Sequence, residues 1–393
     1  MSWRIPLSDL NYDESELRAV EGPLSTRWLS MGPEVQSFET EFAALLDVEH
    51  AIAVSSGTAA LHLAYAALGI GPGDEIIQPA MNFVAAANMT IAVGATPVFA
   101  DIVAIDEPTV SPAQIEALIG PSTRAVVVMH YGGSACRMEE IVQIARTRGV
   151  AVIEDACHAV GATYGPDAGA GADRMVGSVG DIACFSFFSN KNLATGEGGM
   201  VVTNDDDLAR RTRLLRSHGM TTLTWDRHEG HARSYDVLTH GFNYRLDDLR
   251  AALGRVQLSK LPAANRHRRA LAERYDSLLR DSQAFRTLRT RHEHSSHHLM
   301  VAVARDPATR EAAAAALATA RVQTSLHYPC ITDFAAFAAY SNSDVPVSRQ
   351  FAERTLSLPL FPGLAPHDVD DIVALLDAAV SGSGDDQLIP GPH

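Results

Sequence analysis

Cysteine is scarce in this chain of 393 residues: only four occur, at widely separated positions. None of them forms a C-x-x-C pair, which argues against a structural zinc site and against a disulfide framework. The first residues lack a basic segment followed by an apolar run, and no apolar stretch approaches the length that spans a membrane. These absences predict a cytoplasmic protein without a membrane partner.

Positive charge is also in deficit, because 32 Lys and Arg stand against 47 Asp and Glu, for a formal net charge of −15. A nucleic-acid or anionic-lipid surface requires a basic field, so neither partner is expected. A local basic pocket for a phosphorylated ligand is still compatible with this balance. Hydrophobic residues make up 46% of the chain, which is typical of a globular protein with a large core.

Two common phosphate-binding motifs are missing. No G-x-x-x-x-G-K-[ST] occurs, which argues against a nucleotide P-loop. The glycine clusters at 69–73 and 165–171 do not lie between a strand and a helix in G-x-G-x-x-G form, so a dinucleotide site is not supported. A phosphate site in this chain therefore has to be built in another way.

Strand-type runs alternate with amphipathic helical segments along the first 217 residues. The predicted strands lie at 51–55, 75–78, 97–101, 124–130, 150–154, 182–188 and Gly199–Thr203. The predicted helices lie at 32–46, 57–68, 83–93, 112–119, Met138–Arg148 and 205–217. Repeated strand–helix units of this length predict an α/β fold with a large, mostly parallel sheet and helices on both faces.

The pattern changes near Tyr244. The segments expected after it are a helical stretch at 246–279, a strand at 299–303, an Ala-rich helix at 310–320 and a strand at 322–328. These shorter elements predict a smaller C-terminal α/β domain.

The predicted domain division places a large domain at 1–244, with a mixed lead-in at 5–31, and the small domain at 245–380. The Gly-, Pro- and Asp-rich residues 381–393 predict a flexible tail.

The stretch 180–200 predicts a strand, a tight polar turn and a second strand. Lys191 is the only cation in this stretch and lies in the turn between two segments that should be buried. Burial lowers the pKa of a lysine because it penalises the ammonium form. A neutral amine in a pocket attacks an aldehyde and forms a Schiff base. The alternative is an ordinary surface-loop lysine.

The segment 51–61, AIAVSSGTAAL, predicts a strand, a Ser-Ser-Gly-Thr turn and a helix. Unpaired backbone N–H groups and the positive end of the helix dipole favour an anion at such an N-terminus. With hydroxyls from Ser56 and Thr58, the turn around Gly57 suits a phosphate. The alternative is a simple helix cap, since Ser and Thr cap helices routinely.

An acidic pair follows the apolar part of another strand, in AVIEDACHAVG. A carboxylate at the C-terminal end of a parallel strand lies where α/β sheets bind ligands, so Asp155 is a candidate partner for a protonated ring nitrogen. A metal site with Asp155 and His158 is the alternative, although no third ligand is nearby in sequence. A thiol catalyst from Cys157 and His158 is disfavoured, because adjacent turn residues rarely place nucleophile and base within reach.

A histidine-rich run precedes the strand at 299–303 and consists of His292, Glu293, His294, His297 and His298. On a strand, His292 and His294 would share a face, which makes a metal hydrolase an alternative function. A solvated loop is the expected structure of the run. Spacing alone places Phe83 in the core rather than beside a cofactor.

These parts together resemble a known family. The segments SSGTAALHLA, GATPVFADI, IEDACHAVGA, GDIACFSFF, KNLATGEGGMV, GFNYRL and LSLPLFPG are similar to the sugar aminotransferases of the DegT/DnrJ/EryC1/StrS family. The resemblance runs from about Ile5 to beyond Val373. It implies a fold type I transferase (aspartate aminotransferase-like) that depends on pyridoxal 5′-phosphate (PLP). It also implies a homodimer with an active site shared between subunits.

The resemblance also implies residue roles. Lys191 becomes the Schiff-base lysine, Asp155 the partner of the pyridinium nitrogen, and His158 a contact to the ring face or its hydroxyl. The implied cofactor-binding residues are Ser56, Gly57, Thr58, Phe83, Asp155, His158, Ser186, Lys191 and, from the other subunit, Asn243. The implied substrate-binding residues are Arg27, Met31, Arg245, His327 and Tyr328.

Two departures from the family pattern bear on the substrate. Asn82 stands where many members have Thr, and His158 stands where many have Gln. The His form resembles members that aminate the C4 ketone of nucleotide-linked sugars. The expected reaction is therefore transfer from L-glutamate to a dTDP-4-keto-6-deoxyhexose in deoxyaminosugar biosynthesis, for a natural product or a surface glycan. The polar loop at 221–236 is expected to help orient the sugar.

Several alternatives remain open from the sequence. C3-ketosugars or scyllo-inosose are rival acceptors, and a non-catalytic PLP-binding regulator is a rival of another class. The family also contains sugar dehydratases in which histidine replaces the lysine, and Lys191 argues against that branch.

Overall fold

The computed structural model describes residues 3–165, 174–222, 225, 228, 230, 234–341 and 343–381. The predicted tail beyond residue 381 and much of the loop at 221–236 lie outside these ranges. The strands are β1 (His50–Val54), β2 (Glu75–Pro79), β3 (Thr96–Ala100), β4 (Ile102–Ala104), β5 (Glu107–Val110), β6 (Thr123–Met129), β7 (Ala151–Asp155), β8 (Ile182–Ser186), β9 (Gly199–Thr203), β10 (Phe285–Thr287), β11 (Met300–Ala304) and β12 (Thr355–Leu358). The α-helices are α1 (Glu14–Thr26), α2 (Pro33–Leu46), α3 (Gly57–Ala67), α4 (Ala85–Ala92), α5 (Pro112–Leu118), α6 (Met138–Arg148), α7 (Asp206–Arg216), α8 (Asp248–Leu279), α9 (Pro307–Thr319), α10 (Pro346–Arg354) and α11 (Pro366–Ser381).

The large sheet has seven strands in the order β1-β9-β8-β7-β6-β2-β3. Its neighbours pair in parallel except at β9, which runs antiparallel to both β1 and β8. The prediction of a mostly parallel sheet is confirmed. Because β9 lies between β1 and β8, those two strands point the same way, and their carboxyl ends lie at the same edge as those of β2, β6 and β7.

Side chains of successive residues in β8 enter two different cores. Ala183 and Phe185 pack on the face that also receives side chains of α2 and α6. Ile182 and Cys184 pack on the opposite face, against α3. An uninterrupted apolar run is typical of a strand buried on both faces. The sheet therefore holds the residues that follow its strands on a rigid base.

The C-terminal part of the chain has its own antiparallel sheet, β10-β11-β12, and its own core. The helix α8 connects the two parts, because Leu261 packs in the large core whereas Leu271 and Tyr275 pack in the smaller one. Ile5 also packs in the smaller core, where it forms a bridge with Val322. The division into domains at residue 244 stays a prediction. Throughout the described ranges, every helix is too short or too polar to cross a bilayer.

The lead-in at 5–31, expected only as a mixed segment, contains the helix α1 at 14–26. This helix starts at a capping box, in which the Asp13 side chain accepts from Ser15 N and Glu16 Oε2 accepts from Asp13 N at 2.8 Å. The Asp-x-x-Glu signal for this start was present in the sequence.

The predicted strand at 322–328 is also wrong. Within this segment the structure shows only isolated bridges, from Val322 to Ile5 and from Ser325 to Ser357. Both edges of β11 are already paired, with β10 on one side and β12 on the other. The segment meets the outer edge of β12 instead, and it pairs there only at Ser325, so no continuous ladder forms.

Candidate active site

The carboxyl ends of the parallel strands enclose a cavity of about 340 Å³. Part of its polar lining comes from residues at or shortly after the ends of four strands, namely Ser56, Asn82, Asp155 and Ser186. Parallel α/β sheets bind ligands at this edge, because helix N-termini and strand ends converge there. The fold thus brings together residues that are more than 100 positions apart in the chain.

Lys191 lies in the turn between β8 and β9, as the strand–turn–strand pattern predicts. Backbone bonds hold this turn, with Lys191 N donating to Phe188 O and Thr195 N donating to Phe187 O, both at 2.9 Å. The Lys191 side chain lines the cavity. Burial lowers the pKa of its amine, against an opposing attraction from Cys157 and Asp155. A solvent-exposed loop lysine, the alternative, does not match this placement.

Asp155 is buried at the end of β7 and is held by two donors. Its Oδ2 accepts from Asn82 Nδ2 at 3.1 Å, and its Oδ1 accepts from Cys157 N at 3.3 Å. The Asn82 amide is itself oriented, because its Oδ1 accepts from Phe83 N at 2.6 Å. The carboxylate therefore has a fixed direction within the cavity wall. The sequence marked Asn82 only as a departure from a family pattern, and only the fold revealed its contact with Asp155.

The N-terminus of α3 lies against the end of β8. A Cβ atom on Gly57 would come within 2.8 Å of Ser186 Cβ and 3.1 Å of Cys157 Sγ, so the approach requires a glycine. Ser56 caps the helix, its Oγ accepting from Ala59 N at 3.1 Å. The Ser56 hydroxyl therefore acts as a helix cap, which was the alternative to binding a phosphate. Thr58 and Ser186 also line the cavity, so the site combines open backbone N–H groups with hydroxyls as a phosphate requires.

His158 is buried beside the cavity. Its Nε2 lies 2.9 Å from the Tyr328 hydroxyl, and its Nδ1 accepts from Gly132 N at 3.4 Å. Burial, together with nearby Lys191 and His327, depresses its pKa well below the usual value. His158 is therefore neutral, and it connects the end of β7 to the segment that carries His327 and Tyr328.

Phe83 lies immediately before α4 and is 53% exposed. Its ring lines the cavity and lies 5.7 Å from the Tyr328 ring, centroid to centroid. The core placement that spacing suggested is wrong. The ring is instead available to a planar group in the cavity.

The histidine-rich run is a loop, as expected, with Glu293 exposed, but its C-terminal part is not solvated. His297 and His298 are only 3% and 6% exposed. His292 is bound by the Asp276 carboxylate, with 2.6 Å between Nε2 and Oδ2. Among the residues that the structure describes, no three His, Cys, Asp or Glu side chains converge as metal ligands do.

His298 is a site residue that sequence reasoning missed. Its Nε2 lies 3.5 Å from Lys191 Nζ, and its Nδ1 lies 3.1 Å from Asn192 Oδ1. Its ring also packs on the His158 ring, with 4.3 Å between centroids. The only sequence signal was its membership of the histidine-rich run, which was ascribed to a loop.

Four predicted site residues lie outside the cavity of this single chain. Met31 is 6% exposed and packs in the large core, and Arg27 is exposed at the C-terminal end of α1. Asn243 is exposed, and the Arg245 backbone forms a bridge with Val54. The roles of these four residues stay predictions, and that of Asn243 requires a second subunit.

The geometry defines a class of site. A helix N-terminus with room for a phosphate, a buried fixed carboxylate and an amine of lowered pKa match the phosphate, the ring nitrogen and the aldehyde of PLP. The residues present therefore fit this cofactor, which supplies the electron sink for amino-group transfer when bound. A large, mostly parallel sheet with a smaller C-terminal α/β part is the architecture of fold type I PLP-dependent transferases.

Comparison with known proteins agrees with this class. The DegT/DnrJ/EryC1/StrS aminotransferase family matches residues 11–377, and the chain belongs to this family. It is 40% identical to the spore coat polysaccharide biosynthesis protein SpsC of Bacillus subtilis (strain 168), over 94% of this chain and 95% of that protein.

Solved structures give the same assignment. DesV of S. venezuelae, determined with a ketimine intermediate, superposes with a TM-score of 0.85 at 33% identity, covering 96% of this chain and 99% of that chain. The PLP form of Spr1654 from Streptococcus pneumoniae gives a TM-score of 0.87 at 26% identity, covering 96% and 99%. The protein is a PLP-dependent aminotransferase.

Proposed function

We propose that the protein transfers the amino group of L-glutamate to a nucleotide-linked ketosugar in the cytoplasm. The proposed acceptor is dTDP-4-keto-6-deoxy-D-glucose, and the product is dTDP-4-amino-4,6-dideoxy-D-glucose. The observation that carries the proposal is the Lys191 amine of lowered pKa, which shares one cavity with buried Asp155 and the open N-terminus of α3. The polysaccharide role in the name of SpsC supports a sugar as the acceptor.

Each residue of the cavity has a proposed task. The N-terminus of α3, with Thr58 and Ser186, binds the phosphate of the cofactor. Asp155, held by Asn82, would bind the ring nitrogen of the cofactor through its carboxylate and so favour the protonated form of that nitrogen. Lys191, as a neutral amine, would take a proton from the substrate Cα and deliver it to C4′ of the bound cofactor.

His158 supports the choice of a 4-ketosugar. This side chain is neutral and bound to the Tyr328 hydroxyl, so both rings form one wall of the cavity. The His form resembles family members that aminate C4, whereas Gln is frequent in those that aminate C3 or cyclitols. His327 and Tyr328 lie on this wall, where we place the sugar.

The same proposal includes a homodimer with shared active sites. Phe83 and Phe188 line the cavity and are still 53% and 46% exposed in the single chain. Exposed aromatic rings beside a site are typical of a surface that a partner covers. Asn243, exposed and outside this cavity, is then expected to contact the phosphate in the other subunit.

An absorption spectrum of the purified protein with PLP tests the reaction. A visible band that bleaches with L-glutamate and returns with dTDP-4-keto-6-deoxyglucose supports both half-reactions and the acceptor. Bleaching without return contradicts this acceptor and favours a 3-ketosugar or scyllo-inosose. A band that glutamate leaves unchanged is the result expected of a PLP-binding regulator.

Mixed dimers test the shared site. Lys191→Ala and Asn243→Ala are each expected to inactivate their homodimers, but a mixed dimer has one site with both native residues. Recovery of about a quarter of wild-type turnover after subunit exchange supports the shared site. A monomeric protein by light scattering, or no recovery from a verified mixed dimer, contradicts it.

A further inference from the structure

A series of side-chain amides fixes the orientation of groups behind Lys191. Asn265 Nδ2 donates to the backbone carbonyl of Val160 at 3.1 Å. A carbonyl only accepts, so this bond determines which end of the Asn265 amide is nitrogen. Asn265 Oδ1 must then be the acceptor in its 2.9 Å contact with Asn192 Nδ2.

Asn192 is oriented by the same logic and by a second bond. Its Nδ2 also donates to the Ser296 carbonyl at 2.7 Å. Both donor positions of the amide are therefore used, and Asn192 Oδ1 is left as an acceptor. Its partner is His298 Nδ1 at 3.1 Å, so the proton of a neutral His298 lies on Nδ1.

The other ring nitrogen of His298 faces the reactive amine. Burial lowers the pKa of His298 well below its usual value, and His158 and Lys191 lower it further. A neutral ring with its proton on Nδ1 has a lone pair on Nε2. This lone pair faces Lys191 Nζ across 3.5 Å.

We propose that His298 is a positioning residue, which accepts a hydrogen bond from the free amine of Lys191 and so directs the amine's own lone pair into the cavity. The inference rests on the proposed role of Lys191 as the reactive lysine. It assigns a function to one residue of the histidine-rich run. It also explains why Asn192 next to Lys191 is buried and fully bonded.

The sign of one measurable effect separates this role from simple packing. An ammonium donates a stronger hydrogen bond than an amine, so an acceptor at His298 favours the protonated form of Lys191. Loss of the acceptor lowers the pKa of Lys191, whereas loss of packing admits water and raises it. The other groups that interact electrostatically with Lys191 are Asp155, Cys157, His158 and His327. Glu197 and Tyr328 also line its cavity, and the test leaves all six in place.

The chain is well suited to measuring this pKa, because it contains only two lysines, Lys191 and Lys260. Competitive acetylation of the full-length, cofactor-free chain across a pH series, read by mass spectrometry, reports each amine separately. Lys260, held by Glu16 at 2.8 Å, serves as the internal reference.

Two variants of His298 form a matched pair. In His298→Asn, the amide nitrogen can still donate to Asn192, but no acceptor reaches Lys191. In His298→Gln, the longer side chain places an acceptor at the distance of Nε2. His294→Gln is the control, since His294 bonds to Thr163 instead.

We expect the Lys191 labelling midpoint to fall by about one pH unit in His298→Asn, and to recover by at least half of that shift in His298→Gln. An unchanged or raised midpoint in a folded His298→Asn variant overturns the positioning role. If wild-type Lys191 itself titrates like an exposed lysine, the proposed function fails rather than this inference alone.

Discussion

Asn82 follows β2 and Asp155 ends β7, and a 3.1 Å hydrogen bond from Asn82 Nδ2 to Asp155 Oδ2 joins them. Both side chains are buried, at 1% and 4% exposure. The bond therefore operates away from water, where a donor to a carboxylate has its largest effect on direction and charge.

Removing this donor is expected to weaken PLP binding. Asn82→Val leaves Asp155 with one donor fewer, and a hydrogen bond to a charged group is worth about 1.5 kcal/mol, or about tenfold in affinity. Asn82→Thr, of the same size as the Val variant, keeps a hydroxyl and should lose less. Spectroscopic titration with PLP measures both constants. Equal affinities for Val and Thr variants would show that the contact does not hold the carboxylate for the cofactor.

Substitution of Lys191 is expected to remove activity, whereas substitution of Lys260 is expected to lower stability. Lys191→Ala should reduce transamination by roughly 10³-fold or more, since it removes both the nucleophile and the proton carrier. Its urea midpoint should stay near that of the wild type. Lys260→Ala removes the cation that pairs with Glu16, which is 2% exposed, and should lower the urea midpoint while turnover persists. Normal turnover by Lys191→Ala contradicts the central assignment.

Gly57 is expected to tolerate no side chain. The Cβ of Gly57→Ala would overlap Ser186 and displace β8 from α3, an overpacking that costs about 1–3 kcal/mol. The affinities for PLP and for inorganic phosphate should both fall by about tenfold. Gly22→Ala is the matched control, because it lies in α1 with nothing within 4 Å of the new Cβ. Phosphate binding that survives Gly57→Ala unchanged would place the phosphate elsewhere.

His297 is expected to make stability depend on pH. Burial lowers the pKa of His297 to about 4 in the folded state, whereas an unfolded histidine titrates near 6.5. The unfolded state then binds more protons between these values, so stability is lost as the pH falls from about 6.5 to 4, by at most roughly 3 kcal/mol.

The variant His297→Asn tests this dependence, because Asn tolerates the positive φ of 48° at this position. Urea unfolding at a series of pH values should show a shallower loss than in the wild type. His367→Asn, at a side chain 78% exposed, should leave the slope as it is. If His297→Asn leaves the slope of stability against pH unaltered, the burial of neutral His297 is not a source of that slope.

The local parts of the site followed from the sequence because each depends on neighbours in the chain. The turn that carries Lys191 lies between two apolar strands, and the start of α3 follows directly after β1. Their residue types and order were sufficient to predict a parallel α/β sheet, and the combined motifs indicated the family. The capping box of α1 was equally local, but its signal was passed over.

The tertiary structure decided the contacts between segments far apart in the chain. The bond from Asn82 to Asp155 exists because β2 and β7 end at one edge of the sheet, and His298 faces Lys191 only through the packing of the segment before β11. The failed strand at 322–328 has the same origin, since a strand needs several successive residues along a sheet edge, and this segment pairs with β12 only at Ser325. By itself the sequence determined most of the elements and the family, and it marked Lys191 as the candidate reactive lysine; the packing of distant segments decided which side chains contact Lys191.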